Sequence, residues 1–222
     1  MSKPVCLEEV KIRPDIQAYL RKADENMELI GYTEHGFRHA ELVAARARQL
    51  LIQLEHDGRL GELAAVAGYL HDIGNCVNRY IHAQAGAMIA YRVLTEMAML
   101  PEEIAEVLAG VGNHEEEYGE PFGAVAAAVI IADKSDVHRS RVRQIQPARF
   151  DEHDRINYSA INSSLTADRR QSTIALALDI DTSIGSIMEY FELFLSRMIL
   201  SRKAAETLGC NFSLTINGTK LL

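Results

Sequence analysis

Cysteine is scarce in this chain: Cys6, Cys76 and Cys210 are the three in 222 residues, widely scattered and without a Cys-x-x-Cys pair. That usage excludes a thiolate zinc knuckle and a disulfide framework, and it fits a reducing cytoplasm. Long apolar runs are missing as well. The longest, Ala124 to Ala132, is too short to span a bilayer, and the opening MSKPVCLEEVKIRP has no apolar signal core. No membrane element is expected. Positive charge is in deficit, with 23 Lys and Arg against 31 Asp and Glu and a formal net charge of −8. This balance argues against a broad nucleic-acid surface, which relies on clustered cations, and leaves room for a local basic patch. Internal repeats, low-complexity segments and coiled-coil heptads are absent too.

What is present is a chain with 48% hydrophobic residues, enough for a proper core. From Pro14 to Ile30 the pattern predicts a helix, with Pro14 suited to the first turn and Gly31 to the cap. After YTEHG, a second helix is predicted over 36–56, striped by Val43, Ala47, Leu50, Leu51 and Leu54. Stepping back along that stripe reaches His39 and then His35. A third helix, over 60–72, buries Leu63, Ala64, Ala67 and Leu70, carries His71 on the same face and leaves Asp72 at its exit. The fourth, over 78–99, begins its inner stripe at His82, and Gly86 one turn later admits a close backbone. Pro101 opens a fifth, whose stripe of Ile104, Val107, Leu108 and Val111 continues to His114. The sixth, over 122–138, is rich in alanine and leads through Val125 and Val129 to Asp133.

His39, His71, His82, His114 and Asp133 therefore each fall on the apolar side of a different predicted helix, with Asp72 adjoining. Burying imidazoles and carboxylates is costly unless something compensates them. For one such histidine, a hydrogen bond to backbone suffices. For the whole set, a metal ion is the natural compensator.

The order His39, His71-Asp72, Asp133, set in the words LHDIGN and IIADKSD, resembles the signature of the HD superfamily of metal-dependent phosphohydrolases. The likeness covers roughly residues 14 to 140. His82 in HAQAG and His114 in GNHEE resemble the extra ligands of its dinuclear subgroups, which include dinucleoside tetraphosphate hydrolases and HD-GYP cyclic-di-GMP phosphodiesterases. The GYP word is absent, Asn113-His114 stands where that subgroup has paired histidines, and His35 stands where it has a glutamate. The resemblance implies a mainly α helical bundle holding two divalent ions. Iron or manganese suits the imidazole and carboxylate donors, with magnesium, nickel, cobalt or zinc as alternatives. His39, His71, Asp72 and Asp133 would hold one ion, and His82 and His114 a second, bridged through Asp72. His35 either joins them or simply begins its helix with Thr33 and Glu34.

Paired ions activate water and clamp a phosphoester, so the implied reaction is hydrolysis of a phosphoester or phosphoanhydride in a small, nucleotide-like substrate. Asp72 and Lys134 are assigned to catalysis. Lys134, Arg139, Arg141 and Arg143 follow the last ligand closely and, with Arg38, are the candidates for phosphate contact, the alternative being a solvated face. Glu115 to Glu117 are read as a solvated turn with at most one residue supporting a ligand. Two rival functions are a mixed-valent di-iron oxygenase of the same superfamily and a non-catalytic, metal-bound nucleotide-sensing module.

After Arg149 the pattern changes. Alternation at Ile156, Tyr158 and Ala160, and again from Thr173 to Ile180, predicts two strands joined by a turn at TADRRQ. A long amphipathic helix over 184–208 and a last strand through Phe212, Leu214 and Ile216 follow. The expected division is thus residues 1–150, helical and catalytic, and 151–222, a small α+β appendage of β-β-α-β order. It reads as a lid or specificity wall, a stabilising flap, or a homodimer contact; the long helix packing on its own sheet plus a subunit contact is the reading adopted.

Overall fold

Proline and aspartate punctuate the first two thirds of the chain into helices. The computed structural model describes residues 4–144 and 146–222. Here α1 is Leu7–Lys11, α2 Pro14–Leu29, α3 Phe37–Gln53, α4 Gly58–Leu70, α5 His82–Glu96, α6 Pro101–Gly112 and α7 Gly123–Lys134. Pro14 and Pro101 sit at first-turn positions, where the missing N–H costs nothing. The Asp57 side chain caps α4 by accepting from the Arg59 N–H. Two helices form the axis of the bundle. In α4 every residue from Leu63 to Leu70 is buried, and in α7 every residue from Val125 to Lys134.

The observed helices depart from the periodicity at the places where ligand candidates sit. His71 is the cap of α4, and Asp72 leads directly into a short 3-10 turn, Ile73–Cys76. That turn displaces the start of α5 from 78 to His82. His114 lies beyond the end of α6, after its cap Asn113, and so is held by a turn rather than by a helix face. The 3-10 turn packs backbone against backbone on α5: a Cβ on Gly74 would lie 1.9 Å from the His82 carbonyl oxygen and 2.5 Å from the Gly86 nitrogen. Gly74 and Gly86 thereby bring His71-Asp72 and His82 side by side.

The C-terminal part reads α8 Glu152–Ser159, β1 Ala160–Asp168, β2 Thr173–Ile180, α9 Ile187–Thr207, β3 Asn211–Ile216 and β4 Thr219–Lys220. The expected first strand is corrected at its start, because Ile156 and Tyr158 belong to α8. Asp151 accepts from the Asp154 N–H and nucleates a helix there, and three alternating positions are too few to outweigh a capped turn. The sheet order is β1-β2-β3-β4, antiparallel except for the parallel pair β2 and β3 that α9 connects. α9 buries Tyr190, Phe194, Met198 and Leu200, and lies along α7 as well as against the sheet. Arg46 of α3 donates to the Ser135 and Ser163 carbonyls, while Arg197 and Lys203 of α9 pair with Glu116 and Glu120. Apolar side chains from both parts join in one continuous core.

Candidate metal centre

Four imidazoles converge on Asp72, and the arrangement follows from the turns just described. His39 and His71 face its Oδ2 with their Nε2 atoms at 3.7 and 3.3 Å; His82 and His114 face its Oδ1 at 3.5 and 3.8 Å. Asp133 joins the first side, with Oδ1 3.3 Å from His39 Nε2 and 3.8 Å from His71 Nε2. All six are buried. Among the described residues, the donor atoms of His39, His71 and Asp72 form one compact group, and those of Asp72, His82 and His114 another.

The hydrogen bonds on the far side of each ring define what the near side can do. His71 Nδ1 donates to the Gly68 carbonyl at 2.8 Å, His82 Nδ1 to Arg79 at 2.7 Å and His114 Nδ1 to Val111 at 2.7 Å. His39 Nδ1 stands 2.7 Å from Asp136 Oδ2. Carbonyl and carboxylate oxygens accept only, so each Nδ1 carries its proton and Nε2 is the atom through which the neutral ring would hold a metal. Those Nε2 atoms meet in twos, His39 and His71 at 3.2 Å, His82 and His114 at 2.9 Å. Two Nε2 atoms this close need either a shared proton or a cation between them, because two lone pairs facing each other repel. The donor set, imidazole and carboxylate, suits a divalent transition metal. This chain therefore fits the group that its helices were expected to hold.

Burial alone would raise the Asp72 carboxyl, but the surrounding imidazoles, His71 first and then His114, hold it well below the usual carboxylate range. Asn75 Nδ2 also donates to Asp72 Oδ1, at 2.9 Å. Burial similarly opposes Asp133, and Lys134 with the His39 hydrogen bond overcomes it. Lys134 Nζ lies 2.8 Å from Asp133 Oδ2 and 3.4 Å from Glu116 Oε1, and these carboxylates raise its ammonium despite burial. Burial first and His114 second push His82 down to about 4.

The chamber over these residues has a volume of about 20 Å³, room for a water or an ion. Four cations line it, Lys134, Arg141, Arg79 and Arg197, beside the carboxylates of Asp72, Asp133, Glu115 and Glu116. Arg79 and Arg197 were not foreseen. Arg79 precedes His82 by one turn, a spacing that offers a weak signal; Arg197 arrives from α9 and has none. The same holds for Asp136, which stands within IIADKSD and braces His39. Of the other cations, Arg38 is bound to Glu34 Oε2 at 2.9 Å and Asp136 Oδ2 at 2.7 Å, Arg139 lies over the Tyr158 ring, and Arg143 pairs with Asp24. None of these three lines the chamber. His35 does, but its Nε2 meets Arg141 at 3.1 Å and its Nδ1 meets the Thr33 carbonyl at 2.6 Å. Burial, then Arg141, hold it neutral, well below its ordinary value. Glu115 and Glu116 both face the chamber, one more than expected, because Arg79 and Arg197 draw them inward.

Among the described residues, no helix is long and apolar enough to cross a membrane. Comparison with known proteins gives one family match, to the HD domain, over residues 36–138. An uncharacterized protein of Methanocaldococcus jannaschii is 31% identical over 136 residues, which are 51% of this chain and 52% of that protein. The chain thus spans about half the length of the curated relative it matches. The matched stretch runs from the start of α3 to just beyond Asp136 and contains all six converging residues, so the part of this chain that holds the candidate metal ligands is the part similar to the HD domain, which belongs to a metal-dependent hydrolase-type superfamily.

Proposed function

We propose that this protein is a metal-dependent phosphohydrolase in which two divalent ions share Asp72. The observation that carries the reading is the split of the Asp72 carboxylate, one oxygen facing His39 and His71 and the other facing His82 and His114. Iron or manganese is the proposed pair. When bound, such ions lower the pKa of a bridging water and neutralise charge on phosphoryl oxygens. The protein's own residues supply the rest. Lys134, kept charged by Asp133 and Glu116, stands beside the ligands as a compact point charge for a phosphoryl oxygen. Arg79 and Arg197 offer planar donors suited to bidentate contact with phosphate. Glu115, with Oε2 3.4 Å from His82 Nε2 and 3.3 Å from Arg79, orients that side of the site. No serine, threonine or cysteine is among the residues that line the chamber, which agrees with water as the nucleophile.

Four cations gathered around the centre, which offset its four carboxylates before any metal is bound, favour a phosphorylated substrate over the substrates of an oxygenase. The substrate proposed is a small phosphoester or phosphoanhydride, nucleotide-like in kind. Two measurements test the reading. Metal analysis of protein purified without added metal should give two ions per chain, falling towards one in His82→Ala and in His114→Ala; an unchanged single ion in all three sinks the dinuclear centre. Phosphate release under strict anaerobiosis with nucleotide or generic phosphoester substrates should proceed, and oxygen-dependent turnover without phosphate release would transfer the protein to the oxygenase class.

A further inference from the structure

A second cavity, of about 260 Å³, opens beside the metal chamber, and most of its wall lies outside the HD domain. The two spaces share His35, Arg79 and Arg197, which form a neck between them. Beyond the neck the lining changes character. Tyr32 comes from the connection between α2 and α3, Phe194 from α9, and His153 and Asn157 from successive turns of α8. Rings and guanidinium groups are layered there: the Arg79 guanidinium lies 5.2 Å from the Tyr32 ring centroid, Arg197 lies 4.3 Å from that of the buried Phe194, and His153 stacks on Phe194 at 6.2 Å.

Asn157 adds a directional feature. It is 3% exposed, and its Nδ2 donates to the His153 carbonyl at 2.9 Å. A carbonyl accepts only, so this bond defines which way the carboxamide is turned and makes Oδ1 the remaining acceptor. Oδ1 is buried and has no hydrogen-bond partner. Buried polar atoms are nearly always satisfied, so an orphan acceptor on a residue that lines a cavity asks for a donor from within it.

We propose that this cavity binds the organic part of the substrate, a planar heterocycle carrying an amino group, with Asn157 as the specificity-determining residue. The inference rests on the phosphohydrolase reading for its orientation: the phosphoryl group occupies the chamber, Arg79 and Arg197 flank it at the neck, and the ring enters alongside Tyr32. A volume of about 260 Å³ is near the lower bound of roughly 300 Å³ for small-molecule pockets, so it takes one nucleoside-sized group. The C-terminal part of the chain then acts as a specificity wall. An amino group meets Asn157 Oδ1, whereas an analogue with hydrogen at that position leaves the acceptor unpaired, the situation in which polar sites discriminate strongly.

Nucleosides test this without phosphate and without turnover. Binding of adenosine, guanosine and cytidine to the metal-loaded protein is measured by calorimetry beside their analogues lacking the exocyclic amine, namely purine riboside, inosine and pyrimidin-2-one riboside. At least one amino-bearing nucleoside should bind ten or more times tighter than its analogue. Asn157→Leu should abolish that difference while ion content and unfolding midpoint stay at wild-type values. Tyr32→Ala, at a residue 42% exposed and therefore safe for folding, should weaken amino and deaminated nucleosides alike by fivefold or more. Absence of nucleoside binding, discrimination that survives Asn157→Leu, or binding indifferent to Tyr32→Ala overturns the proposal. Nucleoside binding with these dependences in a protein that releases no phosphate would sink the hydrolase reading and leave the cavity assignment standing.

Discussion

The two sides of Asp72 are built from different materials. On the His39 and His71 side, Asp133 adds a further carboxylate, and the His39 ring is braced by Asp136, itself bonded by Arg38 and close to Arg141. These residues belong to α3, the end of α4 and α7 or its exit, where the backbone is buried. On the other side, His82 opens α5 and His114 lies in a turn; both rings are braced by carbonyl oxygens alone, and the nearest carboxylate, Glu115, is half-buried and paired with Arg79. On the dinuclear reading, more donors and a charged brace would make the first side the tighter ion site. Fewer donors and an adjoining opening would make the second the exchangeable one, next to the chamber wall where substrate would enter.

The largest expected effect removes the residue that the two sides share. Asp72→Ala should take both ions out of the purified protein and lower phosphate release by about 10²–10³-fold or more, the scale of losing a group that stabilises charge in the transition state; an enzyme still holding two ions would show that the sides are independent. Breaking one brace should separate them. Asp136→Asn should weaken the ion on the His39 side by about 10–100-fold, as loss of an outer-shell carboxylate does, and leave the other ion's affinity unchanged. Equal weakening of both would erase the contrast. Graded chelation of the native protein sharpens it further: ion loss should come in two phases, and His114→Ala should abolish the earlier one.

The smallest effect concerns pH. His82, pushed down to about 4 by burial and His114, is neutral in the fold, and unfolding returns it to an ordinary value of 6.5. Between these values the unfolded chain binds more protons, so the contribution is full above about pH 6.5 and is lost as pH falls towards 4. His35 works in the same direction and His71, whose value is raised, in the opposite one. Since those two are common to both proteins, thermal unfolding of chelated wild type and chelated His82→Gln at pH 5 and pH 7 isolates His82: the variant should show the flatter dependence. Parallel slopes would mean that His82 keeps its ordinary value in the fold.

Much of the helical part could be read in advance, for a physical reason. Buried helices repeat apolar residues every three or four positions, and a histidine that keeps this step declares its face. His39, His82 and Asp133 were found so. His114 followed the same step although it stands in a turn, because the first residues past a helix end still continue its direction. The start of α8 was misread since alternation over Ile156, Tyr158 and Ala160 resembles a short strand, and a single capping aspartate decided otherwise. The Arg run after Asp133 illustrates a different failure. Nearness in sequence placed Arg139 and Arg143 by the site, whereas the chain turns away after Arg141 and gives them to Tyr158 and Asp24.

The sequence by itself determined that imidazoles and carboxylates would be buried together on helices, because periodicity and the His71-Asp72 pair are local properties. Only the tertiary structure decided how they divide. The close approach of Gly74 to α5 turns one Asp72 oxygen to each histidine pair, and the packing of α9 on α7 brings Arg197 to the metal chamber and Phe194 to the neighbouring cavity. Such contacts depend on where whole elements come to rest, and no local pattern of residues records that.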